Sequence, residues 1–351
     1  MSYTGCHVDD SLIFIYLSVK QFYTIPIFIP EKSCPFRCVY CNQYRIANCL
    51  VVPSAEETEQ IIVSYLQTIP SDKHTTIAFF GGSFTGMSIE EQSRYLSVAE
   101  RYVKDGKVEK IQLSTRPDYI SKEILDNLKR YNVKTIELGA QSLDENVLKI
   151  SGRKHSVRDV EEAARLIKSY GFDLGLQMMI GLPEDTLEKS LFTAQKIIDL
   201  KADNTRIYPT LVIKDTALAS WWKAGKYKAL SLQEAIDWCA KIYMLFVNNN
   251  VQVLRVGLHP SEGLINKRDL LDGPFHVSFK ELVLTKIWEE KLLQIPENKQ
   301  GKLIIRIAPQ AMNGAIGYYA ENKKLLTTRF AAVQFVADVQ MKNFDFEYRI
   351  E

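Results

Sequence analysis

The chain has 351 residues, 46% of them apolar and 25% charged, with a formal net charge of +2. That balance excludes a disordered chain, and no whole-chain charge demands a nucleic acid or a membrane. The length suffices for one large α/β domain with a small appendage, and six cysteines in so long a chain are not a secreted disulfide framework, which predicts a reducing, cytoplasmic compartment.

Residues 1–22 read as an N-terminal extension. The apolar run Leu12 to Leu17 is short, follows Asp9 and Asp10, and lacks a basic flank and a small-residue cleavage site, so neither a signal peptide nor a membrane span is predicted. From residue 23, short runs rich in β-branched and aromatic residues alternate with segments of helical period, the pattern of repeated βα units around a parallel sheet. The predicted strands are Tyr23 to Ile29, Thr76 to Phe80, Lys110 to Ser114, Thr135 to Leu138, Leu174 to Met179 and Thr205 to Tyr208, with a seventh at Gln252 to Val256. Six strands make a partial (β/α)6 barrel, which the seventh extends.

Helical stretches fall at Glu56 to Gln67, Ile89 to Val103, Lys122 to Tyr131, Val157 to Tyr170, Leu187 to Leu200 and Leu232 to Asn248. Ser54, Ser88, Ser121, Ser156 and Ser231 stand at their starts as N-caps, and Glu91 gives Ser88 a capping-box partner. In the last helix Leu232, Ile236, Cys239, Tyr243 and Phe246 form one apolar stripe, which makes Cys239 a core residue. The core barrel is assigned to 23–263, a connecting segment with one helix around Lys280 to Leu293 to 264–301, and a small C-terminal α+β module to 302–351.

After the first strand come Cys34, Cys38 and Cys41, separated by three residues and then two. Three thiolates in so short a loop can hold a metal or cluster and leave one coordination position open, whereas structural zinc sites are closed by four protein ligands. A disulfide would strain the short gaps and leave one cysteine over. A zinc-binding structural module, with Cys49 recruited as fourth ligand, is the non-enzyme alternative.

Cys34-x-x-x-Cys38-x-aromatic-Cys41, with Tyr40 as the aromatic, resembles the signature of radical S-adenosylmethionine (SAM) enzymes. The resemblance implies a four-iron four-sulfur (4Fe-4S) cluster on the three cysteines, SAM on its open iron, reductive cleavage to a 5′-deoxyadenosyl radical, and an external electron donor such as flavodoxin or ferredoxin. In a parallel barrel the loops leaving the C-terminal strand ends hold the ligands. There the resemblance implies SAM contacts from Gly81, Gly82 and Ser83, from Ser114 and Thr115, from Gln141 and Arg153, which resemble a pair in oxygen-independent coproporphyrinogen oxidases, and from Gln177 ahead of Gly181-Leu182-Pro183. Met178 and Met179 read as core, and Arg116 as addressing an anion or Asp118.

Phe80-Gly81-Gly82-Ser83-Phe84-Thr85, Ser114-Thr115-Arg116-Pro117-Asp118 and Tyr208-Pro209-Thr210-Leu211 narrow the likeness. From about 23 to 260 the chain resembles the radical SAM half of the Elongator catalytic subunit and its shorter bacterial relatives. Tyr208, Lys214 and His259 are the candidate catalytic residues. A tRNA substrate follows from that resemblance; a porphyrin-like or other small metabolite is the alternative. About fifty residues remain after Lys302, too few for an acetyltransferase domain of ordinary size, so acetyl transfer is not expected. That tail carries Gly314-Ala315-Ile316-Gly317 between a strand at Leu303 to Ile307 and a helical stretch ending near Leu326, an order resembling part of a KH module, whose Gly-x-x-Gly loop clamps a nucleic-acid backbone.

Overall fold

The computed structural model describes residues 22–29, 37–47, 52–70 and 73–351. Each apolar run bounded by turn residues forms a strand and hands the chain to a helix. The units are β1 (Phe22–Ile29) with α1 (Gln43–Ala47) and α2 (Ala55–Leu66), β2 (His74–Gly81) with α3 (Ile89–Lys104), and β3 (Lys110–Thr115) with α4 (Lys122–Arg130). Then come β4 (Val133–Gln141) with α5 (Glu145–Ile150) and α6 (Val157–Ser169), β5 (Asp173–Ile180) with α7 (Leu187–Asp199), and β6 (Asn204–Pro209). The short β7 (Val212–Ile213), α8 (Ala217–Lys223), α9 (Leu232–Asn248) and β8 (Gln252–Val256) complete this region.

Seven strands pair in the order β1-β2-β3-β4-β5-β6-β8, all parallel, with β1 and β8 at the two edges. This is the partial barrel expected from the sequence, an open half-barrel including the seventh strand. The period of two sorts each strand's side chains between its faces. Leu174, Leu176, Met178 and Ile180 of β5 are fully buried toward the helices, and Ile136, Leu138 and Ala140 of β4 do the same. The alternate positions, Glu137, Gly139 and Gln141 on β4 and Gly175 and Gln177 on β5, face the barrel interior. Met178 is thus core, as is Cys239, whose thiol burial pushes up.

The five serines cap their helices, each hydroxyl accepting from the N3 backbone N–H. Reciprocal boxes form at Ser54, Ser156 and Ser231; the hydroxyl of Ser88 accepts from Glu91 N and approaches the Glu91 carboxylate at 3.3 Å.

Beyond the barrel follow α10 (Glu262–Ile265), β9 (Leu270–Asp272), which pairs antiparallel with β7, and α11 (Phe279–Leu292). The C-terminal region is β10 (Asn298–Ile307), α12 (Met312–Ile316), α13 (Glu321–Thr327), β11 (Phe330–Ala337) and β12 (Phe346–Ile350). Its sheet has the order β11-β10-β12, with β11 parallel and β12 antiparallel to β10. The strand–helix–helix–strand order is present, but the Gly-x-x-Gly stretch is not an open turn. Gly314 to Ile316 belong to α12, Ala315 is fully buried, and a Cβ on Gly314 would lie 3.1 Å from Trp288. Phe344 stacks on Trp288 of α11 at 6.1 Å and meets Tyr243 of α9 edge-on at 5.8 Å, so this region packs directly on α11 and on the barrel helix α9. Among the described residues no helix is long and apolar enough to cross a membrane.

Candidate active site

A cavity of about 280 Å³ opens where the strand ends meet the cysteine loop, lined among others by Cys38, Tyr40, Cys41, Gly81, Gly82, Ser114, Thr115, Gln141, Arg153 and Gln177. Ten sequence-predicted site residues therefore share one wall. Cys34 lies outside the described residues.

The loop carrying Cys38 and Cys41 is fixed from two sides. Cys41 N donates to Cys38 O at 3.1 Å, closing a tight turn. Val39 N donates to Ser151 O at the end of α5, and Leu218 N of α8 donates to Val39 O, at 3.1 and 2.8 Å. Beneath it Cys38 and Tyr40 pack with Val147, Leu182 and Leu218 in a small apolar cluster. Gln43 Nε2 reaches across to Gly81 O at 2.9 Å, joining this loop to the end of β2.

At that end the chain needs glycine. Gly81 has φ +110°, and a Cβ there would stand 2.5 Å from Ile29 O, while Gly82 N donates to the same carbonyl at 2.7 Å. Ser83 does not line the cavity. Its hydroxyl lies 2.8 Å from the Thr115 hydroxyl and accepts from Arg116 N at 3.1 Å, bracing the β2 and β3 exits against each other. Arg116 is 4% exposed and grips Asp118 with two hydrogen bonds, so its charge is spent internally.

Strand β4 ends in a bulge. Gly139 pairs with Gln177 and Gln141 with Met178, which leaves Ala140 as the extra residue. Gln141 takes φ +66°, a left-handed conformation rare for a side-chain-bearing residue, and its amide nitrogen folds back to 2.9 Å from where a Gly139 Cβ would be. Arg153 donates to Gly139 O at 2.5 Å and approaches Cys38 Sγ at 3.5 Å. Burial opposes its charge, but the neighbouring Tyr40 and Cys38 outweigh that and raise its pKa. Two buried polar atoms lining this cavity, Gln141 Oε1 and Arg153 Nε, have no partner among the described residues, and the buried Tyr40 hydroxyl lies beside the Cys38 thiol. An unsatisfied buried polar atom costs about 1–3 kcal/mol. A polar ligand that hydrogen-bonds them would remove the penalty.

Deeper in the barrel is a group that sequence reading missed. Glu137, fully buried, accepts from Arg206 Nε and Nη2 at 2.6 and 2.9 Å, from Gln112 at 2.8 Å and from Gln177 at 2.8 Å. Gly175 leaves the room, since a Cβ there would lie 2.7 Å from Glu137 Cγ. Arg206 also lies over the Phe80 ring at 5.1 Å.

Tyr208, Lys214 and His259 are not among the cavity-lining residues. Tyr208 lies farther along β6 beside Arg206, and burial raises its pKa. Lys214 is half-buried after β7, its backbone N donating to Asp269 O at 3.0 Å. His259 is exposed, with Nδ1 3.2 Å from Arg255, and burial together with that arginine lowers its pKa.

Residues 29–196 match the family model described as Radical SAM superfamily, and residues 202–289 match the Radical SAM C-terminal domain. The chain belongs to the radical SAM superfamily. This radical SAM protein is 31% identical over 197 residues to Elongator complex protein 3 of Schizosaccharomyces pombe, across 55% of the chain and 36% of that relative. It is 32% identical over 191 residues to a tRNA uridine(34) acetyltransferase of Methanocaldococcus infernus, across 48% of the chain and 35% of the relative. The chain thus spans about a third of the length of these relatives. The solved structure of the archaeal Methanocaldococcus infernus Elp3 with an N-terminal deletion shares the fold, with TM-score 0.63 and 24% identity over 78% of this chain and 64% of that one.

Proposed function

We propose that this chain is a radical SAM enzyme that modifies tRNA, holding a 4Fe-4S cluster on Cys34, Cys38 and Cys41 and SAM in the adjoining cavity. The observation that carries the reading is the pair of buried polar atoms without a partner among the described residues, Gln141 Oε1 and Arg153 Nε, in the cavity beside Cys38 and Tyr40. When bound, cluster and SAM supply a 5′-deoxyadenosyl radical able to abstract hydrogen from an unactivated carbon. The chain's own residues bind and orient. Gly81 and Gly82 let the backbone approach the ligand closely, Gln141 offers an acceptor, and Arg153 offers a planar cation to a carboxylate. Ser114 and Thr115 offer hydroxyls, and Gln177 offers a carbonyl whose direction is set by Glu137.

The similarity to a tRNA uridine(34) acetyltransferase supports tRNA as substrate. Tyr208 and Lys214, beyond the cavity on the β6 side, and His259 after β8 are assigned to the substrate side, and a small reductant protein such as flavodoxin or ferredoxin is the assigned electron donor. The test is anaerobic reconstitution followed by product analysis. We expect iron and sulfide near four per chain, SAM-dependent spectral change, and 5′-deoxyadenosine whose yield rises with tRNA. Stoichiometric zinc without a SAM-responsive cluster would sink the reading, and stimulation by a small metabolite but not by tRNA would reassign the substrate.

A further inference from the structure

Beside the C-terminal ends of β6 and β8, Pro209, Leu211, Leu258 and Phe275 border a small cleft with His276 in its wall. The loop carrying His276 is pressed against the β6 exit: Gly273 has φ +109°, and a Cβ there would stand 3.0 Å from Thr210 O. From His276 the aromatic surface runs outward onto the C-terminal region. The Tyr318 ring meets His276 edge-on at 5.5 Å, and Tyr319 meets Tyr318 at 4.4 Å. Tyr319 is 75% exposed.

The backbone beneath these rings is built and costly. Tyr319 at φ 48°, ψ 29° and Ala320 at φ 60°, ψ 31° are consecutive left-handed residues, a conformation that disfavours every side chain. Buried hydrogen bonds hold it. Thr285 Oγ1 accepts from Tyr318 N at 2.8 Å, and Asn322, 3% exposed, donates to Thr285 O at 3.0 Å. The turn that seats Asn322 in the core places the Tyr319 ring in solvent against Tyr318. Strain that persists only because its surroundings enforce it marks functional positions.

We propose that His276, Tyr318 and Tyr319 form a stacking platform for an unpaired nucleobase of single-stranded RNA, next to the nucleotide that enters the barrel mouth. This rests on the reading of RNA as the substrate class. A projecting ring, unlike a groove, suits a planar ligand, and every base offers a π face. A nucleotide drawn into a barrel must leave its stack, and an aromatic neighbour replaces the lost stacking. The charges nearby agree: Lys280 lies four residues beyond His276, and the exposed Lys323 and Lys324 follow the turn, against Glu281 and Glu321.

The test measures binding of the full chain to unmodified tRNA and to a fluorescent single-stranded RNA across a salt series. Tyr319→Gly is expected to raise the thermal midpoint, because glycine accepts the left-handed turn, while weakening RNA binding roughly 5- to 150-fold. Tyr319→Phe should bind as wild type, since stacking needs the ring and not the hydroxyl. The slope of log affinity against log salt should stay unchanged in Tyr319→Gly, no phosphate contact being lost. Unchanged RNA affinity in Tyr319→Gly, against a wild type that binds, overturns the platform and leaves the RNA substrate standing. A fall in sedimentation mass in that variant with unaltered RNA binding overturns it in favour of contact with a second copy. Absence of RNA binding by the wild type overturns the platform and the tRNA reading together.

Discussion

Gln177 donates its side-chain N–H to Glu137 Oε2 at 2.8 Å, which leaves the Gln177 carbonyl as the end offered to the cavity. Glu137 can hold that orientation because Arg206 fixes it with two further hydrogen bonds, the arginine being 13% and the glutamate 1% exposed. Breaking one side of a buried ion pair strands the other charge at a cost of about 3–5 kcal/mol. Glu137→Gln is therefore expected to lose that much stability in urea unfolding, and adding Arg206→Met should recover most of it. A single variant as stable as wild type would remove the ion pair from its organising role.

Gln141 makes a different trade, local strain for ligand contact. Glycine tolerates φ +66° without penalty, whereas alanine there keeps the strain and contributes no amide. Gln141→Gly should unfold with about 1 kcal/mol more stability than Gln141→Ala. In the reconstituted protein both should bind SAM roughly tenfold more weakly, the loss of one hydrogen bond to a group otherwise unpaired. Wild-type SAM affinity in either variant, measured by equilibrium dialysis, would exclude Gln141 from the SAM site.

Much of this was legible in the sequence because period and caps are local signals. Strand β8 and helix α9 fall on their predicted bounds, Gln252–Val256 and Leu232–Asn248. The spacings from Cys38 to Cys41 and from Gln141 to Arg153 carried the candidate site into one cavity. Helices α5 and α8 were not legible. At six and seven residues they are too short for a periodic signal, and tertiary contacts stabilise them: each is tied to the cysteine loop through Val39. Glu137 hid within an apolar strand. Its signal was available across strands, since Gln112, Glu137, Gln177 and Arg206 place one polar residue on each of four neighbours. The C-terminal segment looked separable at Lys302, yet Phe344 stacks on Trp288. Truncation there would open a core, so point substitutions are the cleaner probes of RNA binding.

The cysteines separate cluster ligands from bystanders. Cys38→Ala is expected to abolish iron loading and SAM cleavage, because two thiolates cannot complete a three-cysteine site. Cys239→Ala, fully buried within α9, should keep iron content at the cost of some stability. Cys49→Ala should also load normally. Iron and sulfide assays after anaerobic reconstitution decide the point, and equal loss from Cys38→Ala and Cys49→Ala would mark a four-cysteine site.

The last expectation concerns acid stability and His155, which is 3% exposed, with Nε2 3.3 Å from the carbonyl of the bulge residue Ala140. A ring carrying a proton at Nε2 donates in that contact, while Nδ1 has no partner among the described residues. Burial, then the Arg153 and Arg116 charges, push its pKa down to about 3, with Asp118 opposing weakly. An unfolded histidine titrates near its ordinary value of about 6.5. Between these two values the unfolded chain binds a proton that the folded chain refuses, so stability drops as pH falls through the interval. Asp185, raised to about 6 by burial, works the opposite way, but it is unchanged in a His155 variant. His155→Gln retains an N–H donor and cannot take up the proton. Its stability relative to wild type should therefore improve on going from pH 7 to pH 5, by up to about 1.4 kcal/mol per pH unit below the unfolded pKa. Parallel stability curves for the two proteins over that range, from urea unfolding, would show that the folded His155 takes up the proton as readily as the unfolded chain.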